Sequence, residues 1–322
     1  MATPASTVPS VQFRRKKRKI DWSAYGFLTP AIISISVLSL APMAYTIYIG
    51  FTNYDAMHFL KYQFVGFQNF VELLNPSNPL STLFLPTLAW TVVFALAVTA
   101  FNYLIGLFLA VLLNNKNMRE SSVYRALLMI SYAVPGVISI LAWQGLLNPD
   151  FGQINMLLHS VGIAAIPWLT NPTWARIAVI MVAVWSGFPY MMMVSLGGLQ
   201  SISTDLYEAA AIDGANWRQQ FSKITMPALW RISVPLLIPS FAFNFNNFNG
   251  VYLLTGGGPA RSTNQFVGYT DTLASAAYKL TLQFNKYDLA SAISIMLFVI
   301  VAVFSIIQMK YTGALKAFEE VD

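Results

Sequence analysis

The chain has 322 residues, of which 56% are apolar and only 10% are charged. Soluble domains carry about a quarter charged residues, so this composition excludes an ordinary soluble enzyme and indicates a protein that crosses a membrane several times. The net charge of +6 reflects basic residues that can orient the chain in a membrane. The chain has no cysteine, so thiol chemistry is excluded. A short basic run beside an apolar segment is typical of a topology anchor rather than of nucleic-acid binding.

Six apolar segments are long enough to cross about 30 Å of hydrocarbon. Helices satisfy their own backbone over such lengths, so we predict an all-α polytopic membrane protein with six transmembrane helices. The predicted spans are 26–51, 85–113, 123–147, 174–196, 232–254 and 289–309. A basic tail at 1–24, a transmembrane domain at 25–310 and a short tail at 311–322 complete the predicted organisation.

Basic residues predict the orientation of these spans. Fourteen of the 19 lysines and arginines fall on one side of the predicted membrane, which predicts that both termini are cytoplasmic. These residues are Arg14, Arg15, Lys16, Lys17, Arg18, Lys19, Lys116, Arg119, Arg125, Arg218, Lys223, Arg231, Lys310 and Lys316.

Two predicted spans contain aromatic, glycine and proline residues close together. The runs are YAVPG at 132–136 and WSGFPY at 185–190. Interrupted helices near mid-membrane often mark a substrate site, whereas a proline kink eased by neighbouring packing is the plainer interpretation. We expect both spans to be broken at these positions.

A polar island, EAAAIDGANWRQQFSKITMP at 208–227, separates the fourth and fifth spans. Asp205 and Glu208 have the spacing of a capping box for a first helix. Gly214 suits a left-handed turn, a second helix is predicted at 217–224, and Pro227 marks the return toward the membrane. The pattern fits an ordinary cytoplasmic helical hairpin or a docking surface for a partner.

The fifth span carries the run SFAFNFNNFNG at 240–250. Amides at membrane depth are costly unless they find partners. Ser240, Asn244 and Asn247 have helical spacing and are predicted to share one face. Amides beside aromatic rings suit a sugar, but they also suit hydrogen bonding between neighbouring helices, and this helix alone does not separate the two.

Neither ion coupling nor nucleotide chemistry is visible in the sequence. No charged residue lies near the middle of a predicted span, where ion-coupled transporters need one. The glycine cluster TGGGPAR at 255–261 lacks the Lys-Ser/Thr ending of a phosphate loop, so we interpret it as a turn after the fifth span. Energy for transport must then enter from a partner.

The island resembles the EAA loop of bacterial ABC-importer permeases, which inserts into a cleft of the ATPase subunit. The runs YRALLMISYAVPGVISIL, WSGFPYMMMVSLGGLQSISTDLYEAAAIDGA and SFAFNFNNFNGVYLLTGGGP are similar to the F-type permease subunit of maltose/maltodextrin ABC importers. This resemblance covers about residues 85–310. It implies the type I ABC-importer permease fold in a prokaryotic inner or plasma membrane, in the short form without the large external domain.

The resemblance also implies site residues. Positions that match the family's substrate cavity are Tyr132, Gly136, Ala183, Ser186, Gly187, Ser240, Asn244 and Asn247. Gly136, Ala183 and Ser186 depart from the family's serine, asparagine and leucine, which concerns the identity of the sugar. Positions that match the ATPase-coupling loop, about 204–228, are Glu208, Ala209, Ala210, Asp213, Gly214 and Pro227.

The implied partners are a second related permease, two ATPase subunits that bind ATP and Mg, an external sugar-binding protein, membrane lipid and an oligosaccharide substrate. No cofactor, catalytic residue or metal ligand is expected in this chain, nor is nucleic-acid binding. Two alternatives remain: a permease for trehalose or glycerol phosphate, and a membrane scaffold or channel.

Overall fold

The computed structural model describes residues 22–115 and 118–311. The basic run at 14–19, Lys116 and Lys316 lie outside the described residues, as do almost all of the predicted tails. The cytoplasmic orientation of the termini therefore stays a prediction.

The described residues form helices and one small hairpin. The helices are α1 (Trp22–Ile35), α2 (Ala41–Gly50), α3 (Gln68–Leu74), α4 (Ser81–Leu113), α5 (Ser121–Leu128), α6 (Ile130–Ala133), α7 (Gly136–Leu146), α8 (Gln153–Ser160), α9 (Pro172–Gln200), α10 (Thr204–Ile212), α11 (Trp217–Gln220), α12 (Met226–Phe245), α13 (Asn249–Thr255), α14 (Leu273–Leu282) and α15 (Tyr287–Tyr311). The strands are β1 (Ala260–Arg261) and β2 (Asn264–Gly268), paired antiparallel.

The predicted set of spans is confirmed. Five helical segments are long and apolar enough to cross a membrane: Tyr25–Gly50, Ser81–Leu113, Pro172–Gln200, Trp217–Phe245 and Tyr287–Lys310. The pair Ser121–Ala133 and Gly136–Leu146, bent by 90°, makes the sixth when it is counted as one span. The bend lies at the predicted YAVPG break. By compactness the chain divides into two units, Met1–Thr46 and Ile47–Asp322.

In two long helical segments, a wide π-helical turn precedes a proline and lets the helix continue past it. One turn, Ser36–Leu40, joins α1 to α2, and the other, Phe221–Thr225, joins α11 to α12. Each turn ends two residues before a proline, Pro42 or Pro227. A proline ring clashes with the carbonyl four residues earlier, and the wider turn places extra backbone there. The predicted second helix at 217–224 consequently does not stop before Pro227 but continues through it, as one helical segment from Trp217 to Phe245.

The predicted interruption of the fourth span at 185–190 is wrong. The helix α9 continues through this run, with Pro189 inside it and buried. The helix packs along α4, and packing of this kind holds a proline-containing membrane helix together.

The fifth span breaks where no break was predicted. The helix α12 ends at Phe245, and α13 begins at Asn249. Asn246 Nδ2 donates to Ala242 O (3.1 Å), and Asn247 Oδ1 accepts from Gly250 N (2.9 Å). Asparagine side chains that bond to nearby backbone compete with the helix. The predicted common face is therefore wrong for Asn247, which lies beyond the end of α12.

The glycine cluster forms the predicted turn. Gly256 and Gly257 follow α13 with φ of 60° and 83°, a conformation that favours glycine. The two-stranded hairpin that follows was not predicted, and it is a small β addition to an otherwise helical fold.

Close approach of α4 and α9 builds much of the core of the second unit. A Cβ added at Gly106 on α4 would lie 2.6 Å from Met192 N and 2.8 Å from the backbone carbon of Met191. Small residues let membrane helices pack backbone to backbone. The buried Leu107, Met191 and Leu196 fill the surrounding space.

We predict that Gly106→Ala lowers stability, because the new methyl group meets backbone that cannot move aside. Overpacking of this kind costs roughly 1–3 kcal/mol. The measurement is the thermal midpoint and the monodisperse fraction of the purified protein in detergent.

Gly197→Ala is the matched control, because nothing lies within 4 Å of a Cβ at Gly197 on the same helix pair. This variant should keep or raise the midpoint. Equal midpoints for both variants would contradict the proposed close contact.

Candidate functional site

An asparagine of α12 is bound to α4 near the middle of the helix bundle. Asn244 is 6% exposed, and its Nδ2 donates to Thr99 Oγ1 at 3.0 Å. Thr99 lies near the midpoint of α4, which runs over 33 residues. Asn244 therefore lies level with the middle of α4, and its amide joins the two helices by a hydrogen bond.

A second amide faces a glycine at the same depth. Asn102 lies one turn after Thr99 on α4 and is 7% exposed. A Cβ added at Gly187 would overlap the amide end of the Asn102 side chain, so glycine at this position lets the amide lie against α9. Asn102 Oδ1 is buried without a hydrogen-bond partner in the described part of the chain. A buried acceptor of this kind is costly and calls for a ligand, a water or another conformation.

Three further predicted residues bond locally. Ser186 Oγ donates to Val182 O (3.0 Å), and Ser240 Oγ donates to Leu236 O (2.9 Å). Such bonds within one helix leave the hydroxyl free to accept another hydrogen bond. Ala183 is half-buried and packs against an apolar cluster. Asn247 lies between α12 and α13, where its Oδ1 accepts from Gly250 N.

Tyr132 and Gly136 flank the 90° bend and face open space. Tyr132 is 54% exposed, and nothing lies within 4 Å of a Cβ at Gly136. The structure thus brings Gly187, Asn244 and two unpredicted residues of α4 together, and it leaves Tyr132 and Gly136 on an exposed surface of this chain.

Sequence reasoning missed Thr99 and Asn102. Asn102 has a signal that could have been used, since an amide inside an apolar span is unusual. Thr99 has none, because threonine is unremarkable in a membrane helix.

An apolar pocket of about 230 Å³ lies between α4, α12 and α15. Its lining residues are Val92, Leu96, Phe241, Ala242, Phe245, Ile300, Val301 and Phe304. It offers no hydrogen-bonding side chain, so it does not suit a polar solute. The polar groups near Thr99 are the better candidate.

The polar island has well-formed helix caps. The helix α10 ends in a Schellman motif, in which Ala215 N donates to Ala210 O (2.8 Å) and Gly214 N to Ala211 O (3.0 Å). Gly214 has the predicted left-handed conformation, with φ of 77°. Asn216 and Gln219 then form a capping box that starts α11.

The predicted capping box at the start of α10 is wrong. Ser203 is the N-cap, and its side chain accepts from Asp205 N at 3.3 Å. Asp205 instead lies in the first turn of the helix, where its negative charge interacts favourably with the positive end of the helix dipole.

The island is held against the long helix but keeps an exposed outer surface. Tyr207 Oη lies 2.9 Å from Thr225 Oγ1. Ile212 is 87% exposed and Trp217 66% exposed. The predicted coupling residues Glu208, Ala209, Asp213, Gly214 and Pro227 are exposed and Ala210 is half-buried. Large exposed apolar side chains beside acidic ones are typical of a protein interface.

Comparison with known proteins places this chain in a family. Residues 102–311 match the family described as "Binding-protein-dependent transport system inner membrane component". The chain is 41% identical over 291 residues to the galactooligosaccharides transport system permease protein GanP of Bacillus subtilis (strain 168), covering 89% of this chain and 69% of that protein. It is 37% identical over 298 residues to the maltodextrin transport system permease protein MalC of Streptococcus pneumoniae, covering 89% and 68%.

A third relative is longer. The maltose/maltodextrin transport system permease protein MalF of Vibrio cholerae is 41% identical over 252 residues, which are 77% of this chain but 48% of that protein. Among solved structures, a bacterial ABC transporter involved in the import of alginate matches with a TM-score of 0.75 at 23% identity, covering 91% of this chain and 96% of that chain. This match shows the fold alone. The chain therefore belongs to the family of binding-protein-dependent inner membrane transport components, as a permease subunit of an ABC importer and not an enzyme.

Proposed function

We propose that this chain is the permease subunit of an ATP-driven, binding-protein-dependent importer for maltose- or maltodextrin-type oligosaccharides, and that it forms half of the translocation pathway. The observation that carries the proposal is the uncharged polar group at mid-depth, formed by Thr99, Asn102 and Asn244 beside Gly187. Amides and hydroxyls both donate and accept, as sugar hydroxyls do.

The exposed residues suggest where the second half of the pathway docks. Tyr132 and Gly136 face open space at the bend between α6 and α7, next to α9 and α13. In our proposal a second related permease faces this surface, and the sugar lies between the two subunits. Tyr132 then supplies an aromatic face for stacking on the sugar ring.

Coupling to ATP hydrolysis is proposed to run through one helix. The exposed coupling loop at 204–228 would dock on an ATPase subunit. The helical segment Trp217–Phe245 contains both the last part of the coupling loop and Asn244. At 1.5 Å per residue it is about 40 Å long. A displacement at Trp217 would reach Asn244 along one continuous helical segment.

A galactooligosaccharide is the second candidate substrate, because GanP is named for that transport and is 41% identical. Trehalose fits the same polar groups. Glycerol phosphate is disfavoured, since the side chains around Asn244 and Gly187 are uncharged and a phosphate would require a basic residue. A membrane scaffold or channel whose cytoplasmic loop only binds a partner would show ATP-independent flux or no flux.

The proposed function is tested by uptake of labelled disaccharides and oligosaccharides into proteoliposomes that contain the complete complex. We expect ATP-dependent uptake of an α-linked glucose oligosaccharide. Uptake of galactooligosaccharides alone would select the second candidate, and ATP-independent flux would favour a channel.

We predict that Asn244→Ala raises the KM for sugar uptake while complex assembly persists. Loss of one or two neutral hydrogen bonds of about 1 kcal/mol each corresponds to a roughly 5- to 30-fold change. The measurement is initial uptake rate against sugar concentration.

Thr99→Val is the matched control for a purely structural role of Asn244, because it removes the hydrogen-bond acceptor and keeps the shape of the side chain. If Asn244 only joins the two helices, both variants should lower the thermal midpoint alike and leave KM unchanged. That outcome would reject the assignment of Asn244 to the substrate pathway.

We predict that Gly214→Val weakens binding of the ATPase subunits and lowers sugar-stimulated ATP hydrolysis, because a β-branched residue at φ of 77° is strained by roughly 1–2 kcal/mol. Glu208→Lys should act at the same step by reversing an exposed charge. Co-purification of the ATPase and sugar-stimulated hydrolysis are the measurements.

Gly214→Asn is the matched control, since asparagine tolerates the left-handed conformation and should retain more coupling than valine. Full coupling in both Gly214→Val and Glu208→Lys would refute the docking role of the island.

A further inference from the structure

A loop between the first span and α3 presents several large apolar side chains to its surroundings. We call residues 56–67 the aromatic loop. Met57 is 86% exposed, Leu60 90%, Phe64 68% and Phe67 70%. Soluble surfaces rarely expose so many large apolar groups within one short segment, and such patches mark interaction sites. Transport at the polar site near Thr99 makes no use of this loop.

The aromatic loop is fixed in place by a buried carboxylate. Asp55 is 4% exposed, and its Oδ1 accepts from the backbone N–H groups of Met57 and His58, both at 2.9 Å. Lys286 Nζ donates to Asp55 Oδ2 at 2.6 Å. Burial alone would raise the pKa of Asp55, but hydrogen bonds from Lys286 and His58 hold this pKa well below its usual value. The carboxylate therefore stays charged near neutral pH, and the loop stays bound to the residue before α15.

Ring contacts place the aromatic loop at the ends of two membrane spans. The ring centroid of Tyr62 lies 6.4 Å from that of Tyr48 and 5.0 Å from that of Tyr54. Tyr54 lies 5.3 Å from Tyr287. Tyr48 is in the last turn of α2, and Tyr287 is the first residue of α15. Tyrosine is enriched at this level of membrane helices, because its ring is apolar and its hydroxyl is wet.

The helix α3 completes the same junction. Asn69 is 5% exposed, and its Nδ2 donates to Gly50 O (3.0 Å) and Thr52 O (2.8 Å). These carbonyls follow the end of α2 and would otherwise lack intrahelical partners. The chain consequently turns back at the end of the span instead of extending away from it.

We propose that the aromatic loop lies in the membrane–water interface at the end of the first span and inserts Met57, Leu60 and Phe64 among lipid acyl chains. The loop is continuous with the lipid-facing side of the span through the exposed Ile47 and Tyr48.

The composition of the loop fits a lipid interface better than a reversible protein partner. Lys61 is exposed beside the apolar groups and suits lipid phosphates. The irregular backbone of the loop can be hydrated at the interface, whereas it would be too costly in the hydrocarbon core.

Single-cysteine labelling tests the proposal, because the chain has no native cysteine. Leu60→Cys carries a nitroxide in the full chain, co-reconstituted with the subunits that co-purify with it, in vesicles of phosphatidylethanolamine and phosphatidylglycerol. Collision rates are measured with molecular oxygen, which concentrates in lipid, and with a water-soluble nickel chelate.

Two matched positions set the scale. Ser77→Cys is exposed in the polar part of the same connection, and Phe298→Cys is 64% exposed near the middle of α15. We expect the label at Leu60 to collide severalfold less with the chelate than the label at Ser77, and to collide with oxygen more than the label at Ser77 but less than the label at Phe298.

Two results would overturn the proposal. Chelate access equal to that at Ser77 would place the loop in water. Exclusion of both reagents at Leu60 would show that a protein subunit covers it. Met57→Cys repeats the measurement where Leu60→Cys does not assemble.

Discussion

Backbone that leaves a helix within a bilayer must find new partners for its N–H and C=O groups, and this constraint organises the fifth span. Between α12 and α13, the carbonyl of Asn247 accepts from Thr272 Oγ1 at 3.0 Å. The residues after Thr272 bond in turn to α4, where Leu273 N donates to Thr91 Oγ1 at 3.0 Å. The segment that follows the hairpin therefore folds back and stabilises the break at 246–248.

A buried carboxylate holds that returning segment in shape. Asp271 is fully buried, and it accepts from Gly268 N (2.7 Å), Ser275 Oγ (2.8 Å) and Lys279 Nζ (2.8 Å). A buried charge is tolerated when it is paired and its remaining oxygen lone pairs are bonded. A side chain at Gly257 would overlap the Asp271 carboxylate. Gly257 thus leaves the space that this carboxylate occupies.

Hydropathy was sufficient to predict the spans, because the bilayer imposes length and composition on each one separately. The turn at Gly214 was also predictable, because its cause is local: the backbone there needs a left-handed conformation that favours glycine. Of the breaks, only the YAVPG bend was predicted. Pro189 lies in an unbroken helix because α4 packs along it, and the gap between α12 and α13 is stabilised by Thr272, far along the chain. The pairing of Asn244 with Thr99, 145 residues away in sequence, likewise depends on how distant segments pack and was not predictable from local sequence.

The contact between Asn244 and Thr99 bears on how one subunit could alternate between states. A sugar and Thr99 would compete for the same amide, and a neutral hydrogen bond contributes only about 1 kcal/mol, so the exchange is nearly balanced. The Oδ1 of Asn102, one turn away, is a second buried acceptor that a sugar hydroxyl could use. A small shift of the helix Trp217–Phe245 could therefore change which partner the amide takes, since a ligand moves an equilibrium only by its differential affinity for the two states.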